Sequence, residues 1–189
     1  IASDIWATVM AYDGDKIKDG PKSWAEFWDV AKWPGKRGGY KDARIMIEIA
    51  LMADGVKKEE IYDVLRSPEG FDRAFKKLDE LKPHILWSES AADGMQRLLA
   101  GDVVMNINFN ARVSGAAKEN KRNLVIGWSS GFWVGIDYWV KIAKGPNPAA
   151  AQKLLAFYSK PETQAELVKH LTYGVPTLAA YDLMSPELR

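Results

Sequence analysis

The stretch ILWSESAADGMQRLLAGDVVMNINFNARVSGAAKE, residues 85–119, indicates the fold class of the chain. Residues 85–87 have the apolar pattern of a short buried strand, and a polar loop and a helix follow them. Residues 103–109 predict a second strand, and residues 112–119 predict a helix of small side chains. Strands and helices therefore alternate, which is typical of an α/β sheet with helices on both faces.

The same alternation continues on both sides of this stretch. Ser23 and Glu26 form a capping box that opens a short helix, and Asp42 can cap a second helix that ends near Gly55. The remaining segments are predicted as strands over residues 5–12 and 124–128 and as helices over residues 58–65, 68–81, 145–158 and 160–170.

Four polar or aromatic residues fall at the ends of these predicted elements. They are Asp42, Ser88, Asn110 and Tyr173. In an open α/β sheet, ligands bind beyond the carboxyl ends of the strands, and loops carry sites more often than helix faces do. We therefore expect these residues near a ligand.

Composition excludes several classes of function. The 189 residues carry a formal charge of +1, with basic and acidic side chains interspersed, so a nucleic-acid or anionic-membrane partner is not expected. The absence of cysteine excludes disulfides, zinc–cysteine sites and thiol nucleophiles. The 47% hydrophobic content permits a sizeable core, and no cofactor is indicated.

The chain offers little for catalysis. Its only histidines are His84 and His170, which are more simply structural or surface residues. No nucleophile elbow, phosphate-binding loop or zinc-protease motif occurs. An enzyme is therefore not expected, although a hydrolase or transferase that uses paired carboxylates remains a rival hypothesis.

Residues 132–140, FWVGIDYWV, place the single carboxylate Asp137 in an apolar and aromatic stretch that predicts a buried strand. A buried unpaired charge is costly, so Asp137 needs a partner, a cleft or a ligand. A carboxylate beside aromatic rings such as Tyr138 suits an ammonium group. A structural ion pair is the alternative.

Trp87, at a predicted strand end, can either line a cleft or pack in the core.

The order of several phrases resembles the spermidine/putrescine-type periplasmic solute-binding proteins of ABC transporters. The likeness runs almost from end to end. The matching phrases are residues 21–30 (PKSWAEFWDV), 33–37 (WPGKR), 42–44 (DAR), the helix from residue 71 that ends in Leu-Lys-Pro, residues 98–105 (LLAGDVVM), 137–139 (DYW) and 173–174 (YG).

This resemblance implies an α/β fold of the type II periplasmic-binding-protein class, with two lobes that close on a solute and present it to a membrane permease. It implies a crossover strand over residues 1–13, a second lobe over 14–131, a return to the first lobe over 132–172 and a crossing back over 173–189. The chain would then hold the second lobe and the C-terminal part of the first. The leading segment is missing and Ile1 is not preceded by a signal peptide, so we expect a truncated or processed chain, self-association, or pairing with the missing segment.

Carried over residue by residue, the resemblance places the amine-binding carboxylate on Asp137 and a ring beside the site on Phe109. Asp42 matches a second acidic position, but Ile45 and Gly135 replace an acid and a tryptophan of the family, and Arg112 lies close to where one branch carries an acid. These changes remove negative charge and add positive charge. Arg112 suits a carboxylate on the ligand, so a zwitterion fits both charges. A solvated Arg112 is the alternative.

The sequence therefore predicts the periplasmic solute-binding component of an ABC importer for a small cationic, polyamine-like or zwitterionic amine bound in an interlobe cleft. Phe109 and Tyr173 would provide aromatic walls, and Asp42, Ser88, Asn110 and Arg112 would hydrogen-bond the ligand's polar groups. Two alternatives stay open, a binder of carboxylate-bearing solutes and a truncated lobe that binds no ligand by itself.

Overall fold

The computed structural model describes residues 1–189 as a mixed α/β protein. Its strands are β1 (Ala2–Asp13), β2 (Arg37–Tyr40), β3 (Ile85–Ser88), β4 (Met105–Phe109), β5 (Leu124–Ile126) and β6 (Trp133–Tyr138). Its helices are α1 (Trp24–Trp28), α2 (Ala43–Ala53), α3 (Ile61–Val64), α4 (Pro68–Leu81), α5 (Ala91–Ala100), α6 (Asn110–Asn120), α7 (Pro148–Tyr158), α8 (Pro161–His170) and α9 (Leu178–Tyr181). The α/β class predicted from the sequence is confirmed.

The chain divides into two compact units. The larger unit comprises residues 8–133, and the smaller unit comprises residues 1–7 together with 134–189. Residues 178–184 pack against α8 in the smaller unit, around Val168, Ala180 and Met184. The lobe boundaries expected from the sequence remain a prediction.

The sheet of the larger unit has the strand order β3-β2-β4-β1-β5. Strand β2 runs parallel to β3 and to β4, whereas β1 is antiparallel to β4 and β5. Because β2, β3 and β4 point the same way, their carboxyl ends meet at one edge of the sheet. We call this edge, with the residues that follow each of the three strands, the carboxyl edge.

A continuous apolar core fills the larger unit. Helix α2 is buried on two sides, since Met46 and Ile49 belong to one apolar cluster and Ile47 and Leu51 belong to another. Helix α2 lies against α1 and α4. The core side chains that are least exposed are Met10, Trp24, Phe27, Ile49, Leu51, Met105 and Ile107.

Strand β2 was not predicted from the sequence. Its residues are Arg-Gly-Gly-Tyr, which lack the apolar alternation of a strand. The glycines are required by close packing, since a Cβ at Gly38 would lie 2.1 Å from Asn106 Nδ2 and a Cβ at Gly39 would lie 2.6 Å from Ile85 Cδ1. The side chain of Arg37 is fully buried and donates to the backbone carbonyls of Phe27, Gly35 and Asp29.

The smaller unit contains β6, α7, α8 and α9. Strand β6 pairs with β1, and the backbone N–H of Trp139 donates to the carbonyl oxygen of Ile1 over 2.8 Å. Ile5 and Gly174 form a further antiparallel bridge. The strand predicted over residues 132–140 is present as β6, but the prediction that it is buried is wrong, because Val134, Ile136 and Tyr138 are 56%, 45% and 63% exposed.

The helices of the chain are short. None combines the length and the apolar character that a membrane-crossing segment needs.

Candidate functional site

Three strands of the larger unit deliver predicted site residues to the carboxyl edge. Strand β2 ends at Tyr40, β3 ends at Ser88, and β4 ends at Phe109. The rings of Tyr40 and Phe109 are tilted against each other with centroids 5.9 Å apart. Aromatic pairs at this distance attract each other through their edges and faces, which fixes both rings. The edge therefore presents an aromatic surface that is only partly buried.

Helix α6 begins directly after Phe109 at the same edge. Asn110 is its first residue and is half-buried, and no side chain caps the helix start. Arg112 lies in the first turn with an exposed side chain and takes part in none of the ion pairs of the structure. The positive end of the helix dipole favours an anion there. The geometry thus groups two positive elements, a helix start and a guanidinium.

Ser88 is buried and does not present its side chain at the surface of the carboxyl edge. Its side chain is 1% exposed, and its hydroxyl donates to the carbonyl oxygen of Gly39 over 3.1 Å. This bond links the ends of β2 and β3. A ligand-binding role for Ser88 stays a prediction, and its observed contact stabilises the edge.

Sequence reasoning missed two buried asparagines in β4. Asn108 Nδ2 donates to the carbonyl oxygen of Ala91 over 3.0 Å and to Asn106 Oδ1 over 3.1 Å. Asn106 Nδ2 donates in turn to the carbonyl oxygen of Gly94 over 3.2 Å. Both side chains are fully buried. The alternation of Asn with apolar residues over 105–109 was the available signal, because it places both amides on one face of the strand.

Asp42 caps α2 and is held by its own neighbour. Its Oδ1 accepts the backbone N–H of Arg44 over 3.0 Å, and its Oδ2 accepts from Nη2 and Nε of the same arginine over 2.6 and 3.1 Å. These hydrogen bonds from Arg44 hold the pKa of the Asp42 carboxyl below its usual value. The predicted cap is confirmed, and the carboxylate is neutralised inside the larger unit.

The start of α2 is kinked beside this ion pair. Arg44 has an extended conformation, and Ile45 has φ 70° and ψ −40° inside the helix. A positive φ is unfavourable for a β-branched residue, so the surrounding contacts must hold Ile45 in this conformation. Such strain clusters at ligand-binding segments.

A groove of about 280 Å³ opens next to Asp42 in the larger unit. Trp87, for which the sequence left a cleft wall and core packing open, lines it, together with the unpredicted rings of Tyr40 and Phe75. Trp87 is 38% exposed and Phe75 is 52% exposed. The remaining lining residues are Lys41, Ala43, Met46, Ile47, Leu78, Asp79 and Lys82. Chemically, the groove combines aromatic faces with two aspartates and two lysines.

Three further predicted site residues belong to the smaller unit. Asp137 is exposed, and its Oδ1 accepts a hydrogen bond from Trp6 Nε1 over 3.0 Å. Gly135 allows this contact, because a Cβ there would lie 2.1 Å from the Trp6 ring. Tyr138 is exposed in β6, and Tyr173 is half-buried before the bridge residue Gly174. No arginine or lysine pairs with Asp137, so its charge is available.

No group of three or more His, Cys, Asp or Glu side chains is arranged to hold a metal ion. The site therefore consists of two parts, each described within its own unit. One is the carboxyl edge with Asp42, Trp87, Phe109, Asn110 and Arg112, and the other is Asp137 with Trp6.

Residues 5–188 match the family of bacterial extracellular solute-binding proteins. The chain belongs to this family. The solute-binding resemblance inferred from the sequence is thus confirmed, and the family is one of binding proteins, in agreement with the expectation that the chain is not an enzyme.

Relatives give the family membership more detail. The chain is 47% identical over 174 residues to the gamma-aminobutyric acid-binding protein of Pseudomonas aeruginosa. The match covers 92% of the chain and 49% of that relative. It is 26% identical over 190 residues to the spermidine/putrescine-binding periplasmic protein of Escherichia coli, over 97% of the chain and 51% of the relative. The chain spans about half the length of the curated relatives it matches.

A solved structure supports the same fold. The periplasmic binding protein MotA of Agrobacterium tumefaciens B6, in complex with glucopine, superposes with a TM-score of 0.88 at 32% identity. The match covers 100% of the chain and 59% of MotA. The type II periplasmic-binding-protein class inferred from the sequence is therefore confirmed.

Proposed function

We propose that the chain acts as the solute-binding component of an ABC importer and that its ligand is a small zwitterion with one ammonium group and one carboxylate, such as gamma-aminobutyric acid. The observation that carries this proposal is the 47% identity over 174 residues to a gamma-aminobutyric acid-binding protein. A membrane permease as partner and a periplasmic location are parts of the same proposal.

The charges of the larger unit support a ligand carboxylate. Arg112 is an exposed and unpaired cation at the uncapped start of α6. A guanidinium donates two parallel hydrogen bonds to a carboxylate, and the helix dipole adds to the attraction. Asp42 does not oppose this, because Arg44 neutralises it. An anionic group of a ligand is therefore more favourable at this edge than a cationic group.

Asp137 is the candidate for the ligand's ammonium group. It accepts a hydrogen bond from the neutral indole of Trp6, and no lysine or arginine forms an ion pair with it. An aromatic ring beside a carboxylate favours a cation through the ring quadrupole as well as through the ion pair. Asp137 would then distinguish amines from simple carboxylic acids.

A polyamine is the competing ligand class, since the relative in Escherichia coli is named for spermidine and putrescine. Two features of the chain disfavour it. Asp42 is already paired, and Arg112 would repel a second ammonium group. A zwitterion carries one charge that suits Arg112 and one that suits Asp137.

Isothermal titration calorimetry of the chain with gamma-aminobutyric acid, putrescine, spermidine and glucopine tests the proposal. We expect heat of binding with gamma-aminobutyric acid and a weaker response with both polyamines. Arg112→Gln and Asp137→Asn should each weaken binding about tenfold or more, because each leaves a ligand charge without its partner. Tighter binding of spermidine than of gamma-aminobutyric acid would refute the zwitterion assignment.

Arg66→Gln is the matched control for the loss of one positive charge, because Arg66 is an exposed side chain paired with Asp63 in the same unit. It should leave the affinity unchanged. A chimera in which this chain replaces the matching part of the Pseudomonas aeruginosa relative separates the two remaining hypotheses. If the chimera binds gamma-aminobutyric acid and the chain does not, the chain is a lobe that needs the rest of the protein.

A further inference from the structure

We propose that Arg44 is a specificity-determining residue that excludes diamines by occupying Asp42 with its own guanidinium. The inference rests on the proposed function and refines it. The sequence alone offers Asp42 as an acid that a ligand amine could use. The structure places a cation of the protein on that acid instead.

The first observation is the completeness of the contact between Arg44 and Asp42. One residue supplies a backbone N–H over 3.0 Å, Nη2 over 2.6 Å and Nε over 3.1 Å to the same carboxylate. Both carboxylate oxygens are thereby engaged. An arriving ammonium group would have to displace a two-pronged interaction, which a single point charge does poorly.

The second observation is the surrounding groove, whose chemistry fits an ammonium group once Asp42 is released. The rings of Tyr40, Phe75 and Trp87 line it beside Asp42. Rings and a carboxylate in one groove are the combination that recognises organic cations. The other charged groups on its wall are already paired, Lys41 with Glu89 over 3.4 Å and Asp79 with Lys82 over 3.5 Å. Asp42 is therefore the charge that decides what the groove accepts.

The third observation is the backbone that keeps Arg44 in place. Arg44 leaves the helical conformation at ψ 138°, and Ile45 follows with φ 70°. In a regular helix over residues 42–46, the side chains of Asp42 and Arg44 would not face each other, because residues two apart lie on different faces. The kink instead turns the Arg44 side chain back onto Asp42. A strained conformation of this kind persists where neighbouring contacts stabilise it, and Ile45 packs against the core of the larger unit.

Binding titrations with two matched probes test the inference on the chain. Gamma-aminobutyric acid and putrescine have the same number of carbon atoms and share an ammonium end, and they differ only in a carboxylate against a second ammonium group. We expect Arg44→Gln to raise the affinity for putrescine about threefold to fivefold relative to gamma-aminobutyric acid, because solvent partly screens an ion pair this exposed. Arg44 is 86% exposed, so this variant is expected to fold normally.

Three further variants separate specificity from a general change of charge or structure. Arg44→Lys keeps the positive charge but loses the two-pronged contact, so it should restore the exclusion of putrescine only in part. The double variant Asp42→Asn with Arg44→Gln should lose the gain, because the released carboxylate is gone. Arg66→Gln removes an equal charge elsewhere on the larger unit and should leave the ratio of affinities unchanged.

The outcomes distinguish this inference from the proposed function. If the unmodified chain binds gamma-aminobutyric acid but Arg44→Gln leaves the ratio of affinities within about twofold, the role of Arg44 is refuted and the proposed function stands. If the unmodified chain prefers putrescine, both are refuted, since no exclusion exists. A gain of putrescine binding that persists in the double variant also refutes the inference, because it would not depend on Asp42.

Discussion

The two units of the chain bury their apolar side chains to very different degrees. The fully buried large side chains, among them Trp24, Phe27 and Leu51, all lie in the larger unit. The smaller unit has a modest cluster around Ala165, Val168 and Val175, while α7 has no buried residue at all. Two regions of one chain that both contain strands and helices therefore differ in how much of their apolar surface they bury.

The exposed apolar residues of the smaller unit make the difference concrete. Leu154 and Phe157 on α7 are 62% and 56% exposed, and Val140 and Ile142 after β6 are each 78% exposed. Single exposed apolar residues are common, and these four show that the smaller unit leaves several apolar side chains in contact with water. Secondary structure alone does not make a stable domain, and the depth of the core decides stability.

The largest expected effect concerns the folding of the separate units. We expect a fragment of residues 8–133 to unfold in urea with one cooperative transition, because it contains the continuous core. We expect a fragment of residues 134–189 to show no cooperative transition. A unit of about 60 residues is marginal even with a good core. Far-UV circular dichroism during a urea titration measures both.

Amide hydrogen exchange checks the same comparison in the intact chain. Protection should be highest in β4 and α2 and lowest in α7. A sigmoidal urea transition of the fragment 134–189 would contradict the contrast between the units, as would protection of α7 equal to that of α2.

A matched pair of leucine truncations has the next largest expected effect. Leu51 in α2 is fully buried, and Leu154 in α7 is 62% exposed. Leu51→Ala should lower the free energy of unfolding by about 2–5 kcal/mol, because it removes buried methyl groups and leaves a cavity. Leu154→Ala should change it by about 0.5 kcal/mol or less. Urea unfolding of the two variants gives both values, and equal losses would show that α7 is buried in solution.

Much of the larger unit could be predicted from local sequence signals. Ser23 accepts the backbone N–H of Glu26 over 3.2 Å as the capping box predicts, and the helix predicted over residues 68–81 has these bounds in α4. Such signals depend on neighbours in the chain, so a single sequence contains them. The helix predicted over residues 58–65 is shorter in the structure, at Ile61–Val64.

The features that escaped prediction depend on partners distant in the sequence. In strand β2, Arg37 can be buried because three backbone carbonyls accept its hydrogen bonds. The glycines of β2 are needed because side chains of β3 and β4 pack closely against them. The exposure of β6 was not predicted, because an apolar sequence indicates that a segment tends to be buried but does not indicate whether other segments are available to cover it. Of the candidate site, the residue types and strand ends were predictable. The pairing of Asp42 with Arg44 depends on the kink at Ile45, which no local propensity favours.

The smallest expected effect compares one buried and one exposed ion pair. Asp13 in the larger unit is 5% exposed and accepts hydrogen bonds from Arg122 and from the backbone N–H of Asp15. Burial alone would raise the pKa of the Asp13 carboxyl, but the hydrogen bond from Arg122 and that from Asp15 outweigh it and lower the pKa below its ordinary value of 3.8. Glu166 in the smaller unit pairs with Lys169 at the surface, with 59% and 56% of the side chains exposed.

A pKa that is lower in the folded state means that the folded chain binds fewer protons, so Asp13 stabilises the fold at pH values above about 4, the ordinary pKa of the carboxyl in the unfolded chain. This contribution is lost as the pH falls through the lower folded value. Asp13→Asn should therefore reduce the free energy of unfolding by about 1 kcal/mol at neutral pH, and the difference from the unmodified chain should shrink in acid. Glu166→Gln should have no measurable effect at any pH, because solvent already screens that pair. Urea unfolding between neutral pH and pH of about 3 measures both variants. A difference for Asp13→Asn that stays constant over this range would mean that its carboxylate contributes by packing and not by charge, and the electrostatic part of the contrast between the two units would then be wrong.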